Sequence, residues 1–173
     1  AAAVSKRVEL DLEALAAMGL VTPNAPRTPM ADQYRVIKRP LIRNATGRGA
    51  EMLNHGNLIM VTSSLPGEGK SFTAINLAMS MATELDTTVL LVDADVARPS
   101  VLNMLGLPPG PGLLDLLLDD KVELSRVILR TNIDKLSLLP SGTPHARATE
   151  LLASDAMALA GVTDQIVYLE EGD

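Results

Sequence analysis

Leu58-Ile59-Met60-Val61, followed by Ser64-Leu65-Pro66-Gly67-Glu68-Gly69-Lys70-Ser71, decides the fold of this 173-residue chain. The four apolar residues read as a short strand, and a helical run from Lys70 to about Leu85 begins where the Gly-rich turn ends. Strand, glycine-rich loop and helix in that order are the context a phosphate-binding loop requires. The octapeptide fits G-x-x-x-x-G-K-[ST] except that Ser64 stands at the first Gly. Gly67 and Gly69 let backbone N–H groups turn inward around phosphate oxygens, and Lys70 can reach the β and γ phosphates as a point charge. Ser71 is placed to ligate magnesium, and the helix that starts there adds its positive end. The implied ligand is ATP (or ADP) with Mg2+, held by Ser64, Pro66, Gly67, Glu68, Gly69, Lys70, Ser71 and Phe72. The bland alternative is a Gly-rich turn that only joins a strand to a helix.

Downstream, Thr87 to Val92 is a continuous Val- and Leu-rich run, which is how a strand buried on both faces reads. It ends in Asp93-Ala94-Asp95, at the carboxyl end where open α/β sheets bind ligands. Two carboxylates there suit a magnesium-bound water or a hydroxyl awaiting attack; the alternative is a solvated turn or helix cap. Helices are expected over Leu113 to Leu118, Val122 to Leu129 and Thr149 to Leu159, with strands at Leu136 to Leu139 and Gln165 to Leu169. Strands alternating with helices imply a parallel sheet with right-handed crossovers, so the expected fold is an α/β P-loop three-layer sandwich with a mainly parallel central sheet.

Upstream, Val8 to Leu20 has helical spacing with Gly19 near its stop, and Thr22 to Pro29 holds three prolines and reads as a linker. Ala31 to Asn44 is a second helical stretch, carrying Arg35, Lys38, Arg39 and Arg43, with Pro40 expected to kink it. Residues 1–50 are therefore expected to form a helical N-terminal extension, and 51–173 the nucleotide-binding domain.

Composition narrows the function. Apolar residues are 47% but aromatics only 2%, so the core must be aliphatic. A formal charge of −6 argues against a broad electrostatic grip on nucleic acid or anionic lipid. No Cys means no disulfide framework, thiolate metal site or cysteine nucleophile, and a cytoplasmic location fits best. No apolar run approaches the roughly 20 residues of a membrane span, and the start does not resemble a signal peptide. Asn44-Ala45-Thr46 is an incidental glycosylation match, His55 and His145 lack a second ligand at metal spacing, and Glu150 reads as a helix start.

Ser63 to Ser71 together with Leu90-Leu91-Val92-Asp93-Ala94-Asp95-Val96-Ala97-Arg98-Pro99 resembles the Walker A and Walker A′ motifs of bacterial tyrosine autokinases, enzymes that regulate polysaccharide chain length and export. The resemblance extends over Leu10 to Leu20, Asp32 to Asn44 and Leu139 to Met157, and is closest to the exosortase-associated branch. Plasmid-partition and division-site ATPases carry an extra Lys five residues before the P-loop Lys, where this chain has Leu65, which favours the kinase branch. The resemblance implies ATP-dependent phosphoryl transfer to tyrosine, with Lys70, Asp93 and Asp95 catalytic and Ser71, Asp93 and Asp95 around the metal. Which Asp does which is open. The family's Arg two residues after the second Asp is Ala97 here, so its role falls to Arg98 or is lost. Asp32, Arg35 and Lys38 resemble an acidic-x-x-Arg-x-x-Arg motif that packs subunits into a ring, implying a homo-oligomer; a solvated basic face is the alternative. A membrane polysaccharide co-polymerase or activator is the implied partner.

The family's Walker B strand, four apolar residues ending in Asp-x-x-Pro, is not found. Leu159 to Gly172 is more similar to the strand that follows it, which points to a gap of about 25 residues between Met157 and Ala158. The Tyr-rich tail that such kinases phosphorylate is also missing; Tyr34 and Tyr168 read as packing residues. A nucleotide-sensing regulatory subunit and a simple ATPase therefore stand beside the autokinase as alternatives.

Overall fold

The computed structural model describes residues 5–49, 54–152 and, in backbone alone, 165–169. In chain order the elements are β1 (Lys6–Arg7), α1 (Leu12–Ala17), α2 (Pro29–Ala45), β2 (Leu58–Val61), α3 (Lys70–Ala82), β3 (Val89–Asp93), α4 (Val101–Met104), α5 (Leu113–Leu118), α6 (Leu124–Val127), β4 (Leu129–Arg130), β5 (Leu136–Leu139), α7 (Ala148–Leu152) and β6 (Gln165–Leu169). Among the described residues the strands form one sheet in the order β1-β4-β5-β3-β6-β2. Every pairing is parallel except β4 with β5.

Strand β3 sets the layering, because all five of its residues are buried. Val89 and Leu91 join Ile75, Ala78 and Met79 of α3 in one apolar layer; Leu90 and Val92 join Leu113, Leu117 and Val127 of α5 and α6 in the other. Period-two alternation within a run apolar at every position is what a strand covered on both faces requires. The three-layer α/β sandwich expected from the sequence is therefore the fold. Strand β2 differs: Ile59 and Val61 meet the α3 layer, while Leu58 and Met60 are exposed at the sheet's edge.

The N-terminal residues are more than a helical extension, since β1 pairs with β4 and Leu10, Leu15 and Leu20 share the core with α3. Polar groups lock that arm down. Asn132 accepts from Leu10 N through Oδ1 (2.8 Å) and donates to Leu10 O through Nδ2 (3.0 Å), and Asn76 Oδ1 accepts from Val21 N (2.7 Å). The boundary expected near residue 50 falls beside 50–53, outside the described residues.

Several element limits depart from the sequence reading for local reasons. Helix α1 starts only at Leu12, where Asp11 caps it by accepting from Ala14 N. Helix α2 begins at Pro29, because a proline at the first helical position loses nothing and Thr28 accepts from Ala31 N. It runs unbroken through Pro40; the Val36 carbonyl that loses its donor belongs to an exposed residue, within reach of water. The helix expected to reach Leu129 stops at Val127, since Leu129 and Arg130 pair with Leu138 and Ser137 instead. Lys135, at φ 64°, and the Thr131 hydroxyl, donating to Ile133 O and Leu136 O, close that turn. Of the expected Thr149–Leu159 helix only residues 149–152 are described, as part of α7, and neither side of the Met157–Ala158 junction lies within the described residues.

Candidate nucleotide site

The loop after β2 is wound by two glycines in the left-handed region, Gly67 at φ 86° and Gly69 at φ 91°, which a residue with a Cβ would hold only under strain. Gly69 is the N-cap of α3. The loop's own carboxylate braces it: Glu68 Oε2 accepts from Ser64 N at 3.0 Å and Leu65 N at 3.1 Å. Glu68 and Ser64 thus shape the loop in this structure.

The loop faces the segment that leaves β3 across a cavity of about 320 Å3. Pro66, Gly67, Gly69, Lys70 and Ser71 form one wall; Asp95, Arg98 and Ser100 form the other, with Phe72 and Met104 as apolar flanks. The two walls are joined by Lys70 Nζ donating to Asp95 Oδ2 at 2.7 Å, with side chains only 11% and 6% exposed. The other oxygen of Asp95 accepts from Arg98 N at 2.9 Å. Ser71 Oγ lies 2.5 Å from Ser100 Oγ. Hydroxyl and carboxylate oxygens beside a P-loop lysine are the hard donors that suit Mg2+ with phosphates, so the residues fit that metal.

Asp93 sits differently from Asp95. Its Oδ1 accepts from Asp95 N, and its Oδ2 accepts from both Ser100 N and Val101 N. It borders a neighbouring cavity of about 240 Å3, with Ser141 and Gly142, rather than the P-loop cavity. Burial pushes its carboxyl pKa up; the three backbone N–H groups oppose this, and the charge of Asp95 adds to it. In this arrangement Asp93 shapes the 94–100 loop while Asp95 faces the ligand space.

The ring-motif residues also diverge. Lys38 is 3% exposed; its ammonium donates to Ser80 O (2.5 Å) and Thr83 Oγ1 (3.1 Å) and pairs with Glu84 Oε1 (2.8 Å). A cation there satisfies carbonyls at the C-terminal end of α3, where the helix dipole favours it. Its hydrogen bond to Glu84 holds that carboxyl below its ordinary range. Asp32 pairs with Arg27 at 2.8 Å, Arg35 is exposed, and Tyr34 is buried in the core. The residues that sequence reasoning missed are Ser100 and Met104. Ser100 before apolar Val101-Leu102 is a helix-start signal that could have drawn attention to it. Size does not pick the site: a larger cavity of about 740 Å3 lies between the Pro-rich segment and α2, away from the loop.

A family described as ParA, NUBPL iron-transfer P-loop NTPase, matches residues 54–112, the span from the approach to β2 through α4. The tyrosine-protein kinase YwqD of Bacillus subtilis is 33% identical over 138 residues, covering 80% of this chain and 55% of that protein. The chain is similar to bacterial tyrosine-protein kinases. The succinoglycan biosynthesis transport protein ExoP of Rhizobium meliloti is 34% identical over 143 residues, 80% of this chain and 17% of that protein. The chimerical protein CapA2B2 has the same fold, with a TM-score of 0.70 at 23% identity over 98% of this chain and 70% of that one. The chain spans about half the length of YwqD and a smaller share of ExoP. Iron transfer by thiolate ligands has no donor in it, since the sequence contains no Cys. Among the described residues no helix is long and apolar enough to cross a membrane.

Proposed function

We propose that this chain binds ATP with Mg2+ and is the phosphoryl-transfer core of a tyrosine autokinase acting in exopolysaccharide assembly. The observation that carries the reading is the meeting of Lys70, Ser71 and Asp95 across one cavity, at the carboxyl ends of β2 and β3. Lys70 exchanges Asp95 for the β and γ phosphates, and the amides of the Gly67–Gly69 turn donate to phosphate oxygens. Bound magnesium neutralises charge on the transferred group, with Ser71 and Asp95 as the residues that would hold it or its waters. Once released from Lys70, Asp95 is also the carboxylate available to accept the tyrosine proton. Asp93 supports both by fixing the loop that presents Asp95. The relatives' names, tyrosine-protein kinase and succinoglycan biosynthesis transport protein, support this class of chemistry and its setting.

The same reading places the chain at the cytoplasmic side of the inner membrane through a co-polymerase or activator protein. It also makes Asp32 and exposed Arg35 the face offered to a second copy, with Lys38 acting from within to hold that helix on α3. A nucleotide-sensing regulator is the second reading, favoured by one observation: β6, wedged between the two site-bearing strands, is Gln165-Ile166-Val167-Tyr168-Leu169 and carries no carboxylate. ATP turnover and phosphotyrosine, followed by mass spectrometry with Mg2+ in this chain and in Lys70→Ala, separate the two. Lys70-dependent phosphotyrosine supports the kinase; nucleotide binding with neither hydrolysis nor phosphotyrosine overturns it in favour of the regulator.

A further inference from the structure

Ser100 occupies a helix N-cap without acting as one. A serine there ordinarily accepts, through its hydroxyl, a hydrogen bond from a first-turn backbone N–H. Ser100 makes no such bond, and Asp93 Oδ2 accepts from the N–H groups of Ser100 and Val101. The hydroxyl turns into the P-loop cavity instead and lies 2.5 Å from Ser71 Oγ. Ser71 is where a P-loop supplies its hydroxyl to magnesium, and a hydroxyl that offers a lone pair to a cation must direct its proton elsewhere. Among the described residues, the acceptor beside the Ser71 hydroxyl is Ser100 Oγ.

We infer that Ser100 is a positioning residue for the metal: its hydroxyl accepts the Ser71 proton and so fixes the Ser71 lone pair toward Mg2+. The inference rests on the nucleotide-binding reading above. It links the loop held by Asp93 to metal occupancy, since the same Asp93 oxygen anchors the backbone N–H of Ser100 and so fixes where its hydroxyl lies. Thr at this position keeps the hydroxyl, and Ala removes it while leaving the backbone N–H bonded to Asp93.

The test is the Mg2+ dependence of binding of a fluorescent ADP analogue, in the full chain, for wild type, Ser100→Ala and Ser100→Thr. In Ser100→Ala the Mg2+ concentration at half-effect rises about fivefold, the loss of one neutral hydrogen bond, while affinity in EDTA and melting temperature stay within twofold and two degrees or so of wild type. Ser100→Thr restores the wild-type Mg2+ dependence. An unchanged Mg2+ dependence in Ser100→Ala, or equal losses with and without metal, overturns the inference while leaving nucleotide binding intact. A wild-type chain whose ADP binding ignores Mg2+ overturns the metal reading itself, and this inference with it.

Discussion

Replacing Asp95 with Asn should tighten metal-free nucleotide binding, the opposite of what loss of a site residue usually does. In this structure Lys70 is held at 2.7 Å by Asp95, with both side chains nearly buried. A phosphate must take Lys70 from that carboxylate and, without metal, then sit beside its negative charge. Exposed ion pairs are worth about 0.2–1 kcal/mol, and severing a buried one costs about 3–5 kcal/mol. This pair borders an open cavity, so an intermediate value of about 1.5 kcal/mol is appropriate, which is about tenfold in affinity. Asn keeps an oxygen for the Arg98 N–H, so the loop need not move. Titration calorimetry with ADP in EDTA should show the tenfold gain, and the ligand-free protein should melt a few degrees lower because Lys70 has lost its counter-ion. In a Lys70→Ala background most of the gain should vanish, because the two positions are coupled. Unchanged or weaker metal-free binding by an otherwise well-folded Asp95→Asn would refute the idea that this ion pair competes with phosphate.

Lys38→Met should lower stability by about 1–3 kcal/mol in urea unfolding, since the stem is kept but three polar contacts go; Ser80 O retains the Thr83 hydroxyl, and half-exposed Glu84 returns to water. Gly112→Ala should cost about 1–3 kcal/mol in the same measurement, because a Cβ there would clash with Pro140 O and lie 2.7 Å from Gly142 N, both backbone atoms. For Asp115, burial alone would raise the carboxyl pKa, but N–H groups of Thr143 and Gly112 outweigh it and leave the pKa lowered. Stability from a depressed carboxyl is present above its unfolded pKa of about 4 and lost as pH falls through the folded value, so urea midpoints should drop below about pH 4 and Asp115→Asn should flatten that decline. Asp93 has the opposite sign: with its pKa raised, stability falls as pH rises from about 4 through its folded value.

The P-loop and both ends of β5 could be read from residues alone, because each depends on neighbours a few positions apart. Gly67 and Gly69 mark left-handed turns wherever they sit, and Leu136–Leu139 is bounded by its own turn chemistry. The run ending at Val92 announced a strand covered on both sides, since unbroken apolar sequence has no solvent face to offer. These local signals were enough for the fold class and for locating the glycine-rich loop between β2 and α3.

What the sequence left open involves contacts between distant segments. It offered Asp93 and Asp95 as equals two residues apart; only folding gave one to the backbone of α4 and the other to Lys70, 25 positions away. It offered Lys38 as an outward-facing partner of Arg35, whereas the approach of α2 to α3 buries the ammonium against Ser80 and Glu84. Ser100 gave only a helix-start signal, and its hydroxyl acquired its neighbour when the 94–100 loop closed over the P-loop. Local torsional preference and apolar pattern are written along the chain, but a polar group's partner is decided by which atoms the packed core brings within 3 Å or so of it, and that is settled in three dimensions.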